Sequence, residues 1–278
     1  MKKMESNFTI LIATYNAANL LSRTLDSLAI QICQDFNVII QDGASTDNTV
    51  DIAISYTAQL PALHLHSEKD TGIYDAWNKA LDRWQNVLGK WILFLGAGDT
   101  LYNNNVLLVV QEHLCQAPSH ILFAGGTMQI VTQGGTVNEE KQYVVAPMSA
   151  TWHIVPHPAT FHNKKLFYYD QFDVSFKIAG DYDFLCRNWT HENGNFQLPL
   201  IITKMLNGGM SAAPATTLRT RWETAKVKYR YFPLRSFLFY TICDLGKGVA
   251  VTAIHYILGK KSSVVLNWLR NLRGLPPW

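Results

Sequence analysis

Gly89-Lys90-Trp91-Ile92-Leu93-Phe94-Leu95-Gly96-Ala97-Gly98-Asp99-Thr100-Leu101 is the stretch that decides the fold. Its five apolar residues, Trp91 to Leu95, end abruptly at glycines. A short apolar run of this kind reads as a strand buried on both faces, the mark of a parallel sheet covered by helices. A carboxylate placed just after such a strand, in a Gly-Ala-Gly turn where backbone can approach a ligand closely, is not core filling. One carboxylate plus phosphate oxygens is a common way to hold Mg²⁺ or Mn²⁺. Such a cation offsets charge on a departing diphosphate. The competing reading is that Asp99 only caps a helix starting near Leu101.

Working outward, the same pattern recurs. Phe8–Thr14 is an apolar, β-branched run followed by the loop Tyr15-Asn16-Ala17-Ala18-Asn19. Asn19 or Ser22 can cap a helix carrying Leu20, Leu21, Leu25 and Leu28. Phe36–Gln41 is a second strand, closed by Asp42-Gly43-Ala44-Ser45-Thr46-Asp47, with a helix expected over 49–59. Leu63–His66 alternates as a short strand, Ile73–Trp84 reads as a helix, Leu101–Leu114 as another, and Ile121–Ala124 as a strand. Strands alternating with helices predict an α/β fold with a mostly parallel central sheet flanked by helices. Ligands of such sheets lie at the carboxyl ends of the strands. Thr14–Asn16, Asp42–Asp47 and Gly96–Asp99 should therefore meet on one rim.

Past residue 125 the pattern changes. Gly125 to Val145 reads as a hairpin turning at Gly134-Gly135. Pro156-His157-Pro158 is a stiff extended segment. A helix is expected from about Asp181, where a carboxylate at the helix N-terminus stays ionised. That suits a base for an attacking hydroxyl, although Asp181 or Asp183 can equally be a cap. Asp70 and Thr71 can cap the helix after Gly72, and Asp75, Asn78 and Lys79 fall at spacings that share a helix face.

The motifs carry a resemblance. Thr9–Asn16, Val38–Val50 (VIIQDGASTDNTV), Ser67–Ala80 (SEKDTGIYDAWNKA), Gly89–Leu101, Pro156–His162, Ala179–Arg187 and Gly208–Ser211 together resemble the inverting family 2 glycosyltransferases of bacterial surface-polysaccharide synthesis. The resemblance implies a GT-A fold, a Rossmann-like nucleotide-diphospho-sugar transferase, over about residues 7–215. It implies that Thr14, Tyr15, Asn16 and Asp42 hold the donor nucleoside, and that Asp70, Gly72, Asn78 and Gly98 line the diphosphate and sugar side. Asp99 matches the second Asp of the family's DxD metal motif, whose first Asp is here Ala97. Asp181 matches the catalytic base, with Asp183 as a rival, and His157 faces the acceptor or diphosphate. The implied reaction is metal-dependent transfer of one sugar, a hexose, from a nucleotide sugar with uridine favoured, to a saccharide or lipid-linked saccharide. Processive relatives carry Gln-x-x-Arg-Trp; here Leu218 precedes Arg221-Trp222, so non-processive transfer is expected.

Composition sets the remaining bounds. With 278 residues, 48% hydrophobic and 16% charged, the chain can bury a substantial core. The apolar run after Met1 is too short for a signal peptide, so a cytoplasmic location at the inner face of the cell membrane is expected. The four cysteines form no CxxC pair and are expected to be buried thiols. Residues 219–278 hold eleven Lys or Arg against Glu223 and Asp244 alone, although the whole chain is only +3. A basic, aromatic-rich helical tail, 216–278, is therefore expected as an appendage. Its stretch 237–258 suits an anionic membrane surface better than a span, or else packs on the catalytic domain. Nucleic acid is not an expected partner. A nucleotidyltransferase would need a Gly-rich basic loop where Thr14-Tyr15-Asn16 stands. A non-catalytic nucleotide-sugar-binding module would not need Asp99 and Asp181 together.

Overall fold

β1 (Phe8–Thr14) lies between two parallel partners, so both of its faces must be apolar. Ile10 and Ile12 enter one core, with Leu21, Leu25 and Leu28 of α1 (Ala18–Ala29). Leu11, between them, enters the other. The period of two thus turns a continuous apolar run into two half-cores. The computed structural model describes residues 7–132, 134–142, 156–194, 196–207, 217–233 and 256.

β2 (Phe36–Asp42), α2 (Thr49–Ser55), β3 (Leu63–Ser67), α3 (Ile73–Arg83) and β4 (Trp91–Gly96) follow in α/β alternation. Then come β5 (Thr100–Leu101), α4 (Val106–Leu114), β6 (Phe123–Val131), β7 (Val137–Lys141) and β8 (Thr160–Asn163). The chain continues with α5 (Gly180–Asn188), α6 (His191–Gly194), β9 (Gln197–Leu206) and α7 (Thr217–Tyr231). The sheet runs β3-β2-β1-β4-β8-β6-β9-β5, with β7 beside β6. Its first four strands are all parallel. β8 then pairs antiparallel with both β4 and β6, so the second half is mixed.

Four local expectations are corrected. Leu101 does not open a helix: Thr100 and Leu101 pair with Lys204 and Thr203 of β9, and α4 begins only at Val106. A strand about a hundred residues away wins over local helical spacing. α1 is not capped by Asn19 or Ser22. The amides of Ala17 and Ala18 donate instead to Thr49 Oγ1 (2.8 Å) and Asp47 Oδ2 (3.1 Å). α2 stops at Ser55, short of residue 59. The glycines at 125 and 126 do not end a strand either; β6 runs straight through them, and the turn follows at Gly135. The expected hairpin's last residues, 143–145, lie outside the described residues.

Cys33 is buried, but Cys115 is exposed, contrary to the expectation of buried thiols. α7 packs on the body: Val227 is fully buried in the second core cluster. Leu218, Trp222 and Tyr229 on the same helix are exposed. The stretch 237–258 and the motif 208–211 lie outside the described residues, Tyr256 excepted. Among the described residues no helix is long and apolar enough to cross a membrane.

Beneath α3 and α5 lies an aromatic layer of Trp77, Phe94, Phe167, Phe172 and Phe184, into which His157 and His162 are set 4.9 Å apart. Burial pushes the His157 pKa down to about 3, and burial with the neighbouring His157 pushes His162 well below its usual 6.5. Both rings are neutral in the fold and take up a proton on unfolding. Their contribution is therefore complete above the unfolded pKa and lost as pH falls below it. Asp99, raised to about 6, acts in the opposite sense. Between about pH 7.5 and about pH 5.5 each histidine therefore removes stability on the order of 1 kcal/mol, and Asp99 returns part of it. Urea unfolding of His162→Met at both pH values should show an acid loss smaller than that of the native chain by on the order of 1 kcal/mol. An unchanged acid loss contradicts this burial account.

Candidate active site

The parallel register sets Thr14 opposite Asp42, and Ala13 opposite Gly96. The carboxyl ends of β2, β1 and β4 therefore form one continuous rim. Asp42 is its fixed point. The carboxylate is fully buried and accepts from Thr14 Oγ1 (2.9 Å), Ser45 N (2.9 Å), Ser45 Oγ (2.5 Å) and Ser67 Oγ (2.6 Å). Burial alone would raise its pKa; the hydrogen bonds from Ser45, Ser67 and Thr14 outweigh burial and hold it below the usual carboxylate value. Next to it, the Asn16 amide donates to Ser45 Oγ (2.8 Å) and Asn16 Oδ1 accepts from Thr46 N (2.9 Å). Asn16 (φ 48) and Ala44 (φ 62) both hold left-handed backbone here. Tyr15 stands 67% exposed at the lip, an aromatic face open to a ligand.

The segment after β3 closes one side. A Cβ on Gly43 would lie 2.5 Å from Asp70 Oδ2, so the Asp70 carboxylate sits directly against the backbone after Asp42. Burial raises the Asp70 pKa, with Asp75 and Asp42 adding and the Gly72 amide and Lys79 opposing. Gly72 (φ 137) and Gly98 (φ 99) occupy backbone conformations that suit glycine, one at the start of α3 and one beside Asp99. Asn78 does not share a face with Asp75 and Lys79. Those two pair at 3.4 Å, while Asn78 is buried and exchanges hydrogen bonds with the Phe172 backbone (2.8 and 3.0 Å).

Asp99 does not cap a helix. Its carboxylate, 8% exposed, accepts from Leu206 N (3.0 Å) and Gly96 N (3.3 Å). Burial raises its pKa to about 6; the two amides and Arg23 oppose that shift. A buried carboxylate served by only two amides has oxygen lone pairs left for a cation. Among the described residues, however, no three His, Cys, Asp or Glu groups lie together as a metal site. The donor set fits a cation held by Asp99 and carried chiefly by phosphate oxygens, not one bound by protein alone.

Across from these segments stand the start of α5 and the loop before it. Tyr74 of α3 reaches Asp181 Oδ1 (3.1 Å) and donates to the Ile178 carbonyl (2.6 Å). The Lys177 ammonium donates to the Thr71 carbonyl (2.6 Å). Burial raises the Asp181 pKa, with Tyr182 N and the Tyr74 hydroxyl opposing and the Glu223 charge adding. Asp183 is committed elsewhere: fully buried, it accepts from Arg187 Nε (3.1 Å), Arg230 Nη1 (2.9 Å) and Tyr231 Oη (3.3 Å). His157 lies inside the aromatic layer, 5% exposed and stacked 5.1 Å from Trp77. Sequence reasoning missed Tyr74, Ser67 and Glu223. The first two lie in the quoted Ser67–Ala80 block, while Glu223 has no local signal.

Solved structures share this architecture. The mannosyltransferase PcManGT of Pyrobaculum calidifontis, solved with GDP-Man and Mn²⁺, aligns with a TM-score of 0.64 at 15% identity, covering 97% of this chain and 81% of its own. Residues 1–349 of S. aureus TarS, solved with UDP-GlcNAc, align at 0.56 and 18%, covering 87% and 71%. The fold is thus GT-A. A model of glycosyl transferase family 2 matches residues 9–179, and the chain belongs to that family. A PGL/p-HBAD biosynthesis glycosyltransferase of Mycobacterium bovis is 30% identical over 205 residues, 72% of this chain and 73% of that protein. The putative teichuronic acid biosynthesis glycosyltransferase TuaG of Bacillus subtilis is 28% identical over 145 residues, 52% of this chain and 54% of that protein. Family membership sets aside the nucleotidyltransferase reading.

Gly180 lets Asp181 approach Tyr74: a Cβ there would fall 2.7 to 2.9 Å from three ring carbons of Tyr74. Tyr74 is itself buried, so the ring cannot swing away. Gly180→Ala should cost about 1–3 kcal/mol in urea unfolding through overpacking. Native stability in that variant contradicts the packing described.

Proposed function

We propose that the chain carries out inverting, non-processive transfer of a single hexose from a nucleotide-diphosphate sugar to an acceptor hydroxyl. The proposed setting is polysaccharide or lipid-linked oligosaccharide assembly at the inner face of the cell membrane; the similarity to a relative named for teichuronic acid biosynthesis supports the polysaccharide part. The observation that carries the reading is Asp181: a carboxylate with a raised pKa, tied through Tyr74 to the helix whose start flanks Asp70 and Gly72. Asp183 is a poor rival, because two arginines and a tyrosine already occupy its oxygens.

In this reading Tyr15, Asn16 and the end of β2 receive the nucleoside. UDP is the favoured carrier, as in the TarS complex with UDP-GlcNAc. Asp42 shapes the floor. Asp70, Gly72 and Gly98 line the diphosphate side, with Asn78 bracing that helix from within. Asp99 is the residue that would hold a divalent cation, Mg²⁺ or Mn²⁺, whose chemistry when bound is to offset charge on the departing diphosphate. Asp181 takes the proton from the acceptor hydroxyl. That oxygen bonds to the anomeric carbon on the face opposite the diphosphate, the bond to the diphosphate oxygen breaks, and configuration inverts. His157 underlies this side, buried in the aromatic layer.

Asp181→Asn should lower kcat by roughly 10²–10⁴-fold while leaving donor binding, read by calorimetry, unchanged. Native turnover in the variant removes Asp181 from the mechanism. A thermal-shift panel of nucleotide sugars with Mn²⁺ or Mg²⁺ should single out one donor, stabilising the fold by a few kcal/mol at about 100 times its dissociation constant. A flat panel contradicts the donor assignment.

A further inference from the structure

Glu223 lies on α7, well beyond the family match, which ends at residue 179. Its carboxylate is 7% exposed. It accepts from three successive backbone amides: Lys177 N (3.1 Å to each oxygen), Ile178 N (2.8 Å) and Ala179 N (3.0 Å). Successive amides turned inward make an anion-binding concavity, and here a side chain of the same chain fills it. A buried carboxylate is costly unless well hydrogen-bonded, so this placement demands a reason.

Anchoring α7 is not that reason. The helix is already fixed by fully buried Val227, by Arg230 on Asp173 and Asp183, and by Tyr231 on Asp183. What Glu223 holds in addition is the amide side of the segment 177–179, which leads straight into Gly180 and Asp181. Tyr74 grips the same segment from the other side through the Ile178 carbonyl (2.6 Å). The loop is thus pinned on its amide side by α7 and on its carbonyl side by α3, with Asp181 emerging between.

We propose that Glu223 is a positioning residue for Asp181, making α7 a working part of the acceptor side and not an appendage. The inference rests on the reading of Asp181 as the base. Among the described residues, Asp181 is faced by the Tyr74 hydroxyl from α3, by the Tyr182 amide and its own amide on α5, and by the Glu223 charge from α7, which favours the protonated acid.

The test compares five variants of the full chain by steady-state kinetics across pH. Glu223→Gln should lower kcat by about 10–100-fold with donor KM within about twofold. It should also move the acid limb of kcat to lower pH, since a negative charge facing the base is gone. Glu223→Asp keeps that charge but shortens the reach; kcat should fall here too, which keeps the test alive if Glu223→Gln fails to fold. Val227→Ala loosens α7 without touching the carboxylate. It should lower stability yet leave the acid limb in place. In an Asp181→Asn background, adding Glu223→Gln should change the residual rate less than about threefold. Native kcat in both Glu223 variants overturns the proposal. So does a shifted acid limb in Val227→Ala, or a fully multiplicative loss in the double variant. Full turnover in Asp181→Asn alone overturns the base assignment, and this proposal with it.

Discussion

The rim depends on one buried anion. Asp42 carries its charge fully inside the protein, held by hydroxyls and an amide from β1, the following loop and β3. Removing one such donor leaves a buried charge partly unsatisfied, at a cost of about 1–3 kcal/mol. The carboxylate is thus a clamp that fixes three strand ends relative to one another. With that clamp in place, Asn16 and Ala44 can hold left-handed backbone, each at a cost of order 1–3 kcal/mol. Those bends leave Tyr15 standing open at the lip.

The site uses three aspartates in three environments. Asp42 is saturated with donors and held acidic. Asp99 has two amides and is pushed up to about 6 by burial. Asp181 is pushed up by burial, with two amides and a phenol opposing and a facing carboxylate adding. In the proposed function, environment and not residue type separates the structural anion Asp42 from the proposed cation holder Asp99 and the proposed base Asp181. The chain arranges this by bringing Asp181 from α5 to Tyr74 on α3, and Glu223 from α7 behind both. The family match stops at residue 179, so it includes neither Asp181 nor Glu223.

What the sequence made legible was whatever local pattern controls. Apolar runs gave β1, β2 and β4, and the polar clusters at their ends gave the rim. The periodic segments gave α1 and α3. Features set by partners far along the chain were not legible. Leu101 reads as the start of a helix; the pairing of Thr100 and Leu101 with Lys204 and Thr203 makes it strand. Asn78 sits at polar helical spacing, yet the Phe172 backbone draws it inward. His157 between prolines looks like a loop histidine, but Trp77 and Phe94 enclose it. Glu223 reads as one acid in a basic helix, because its partners stand some 45 residues earlier.

A crystal structure of the chain with UDP and Mn²⁺ addresses the central claim most directly. The account predicts the nucleoside against Tyr15 and Asn16 above the end of β2, with the diphosphate-bound cation in reach of Asp99. A nucleotide bound away from the carboxyl ends of β1, β2 and β4, or a cation remote from Asp99, would contradict it.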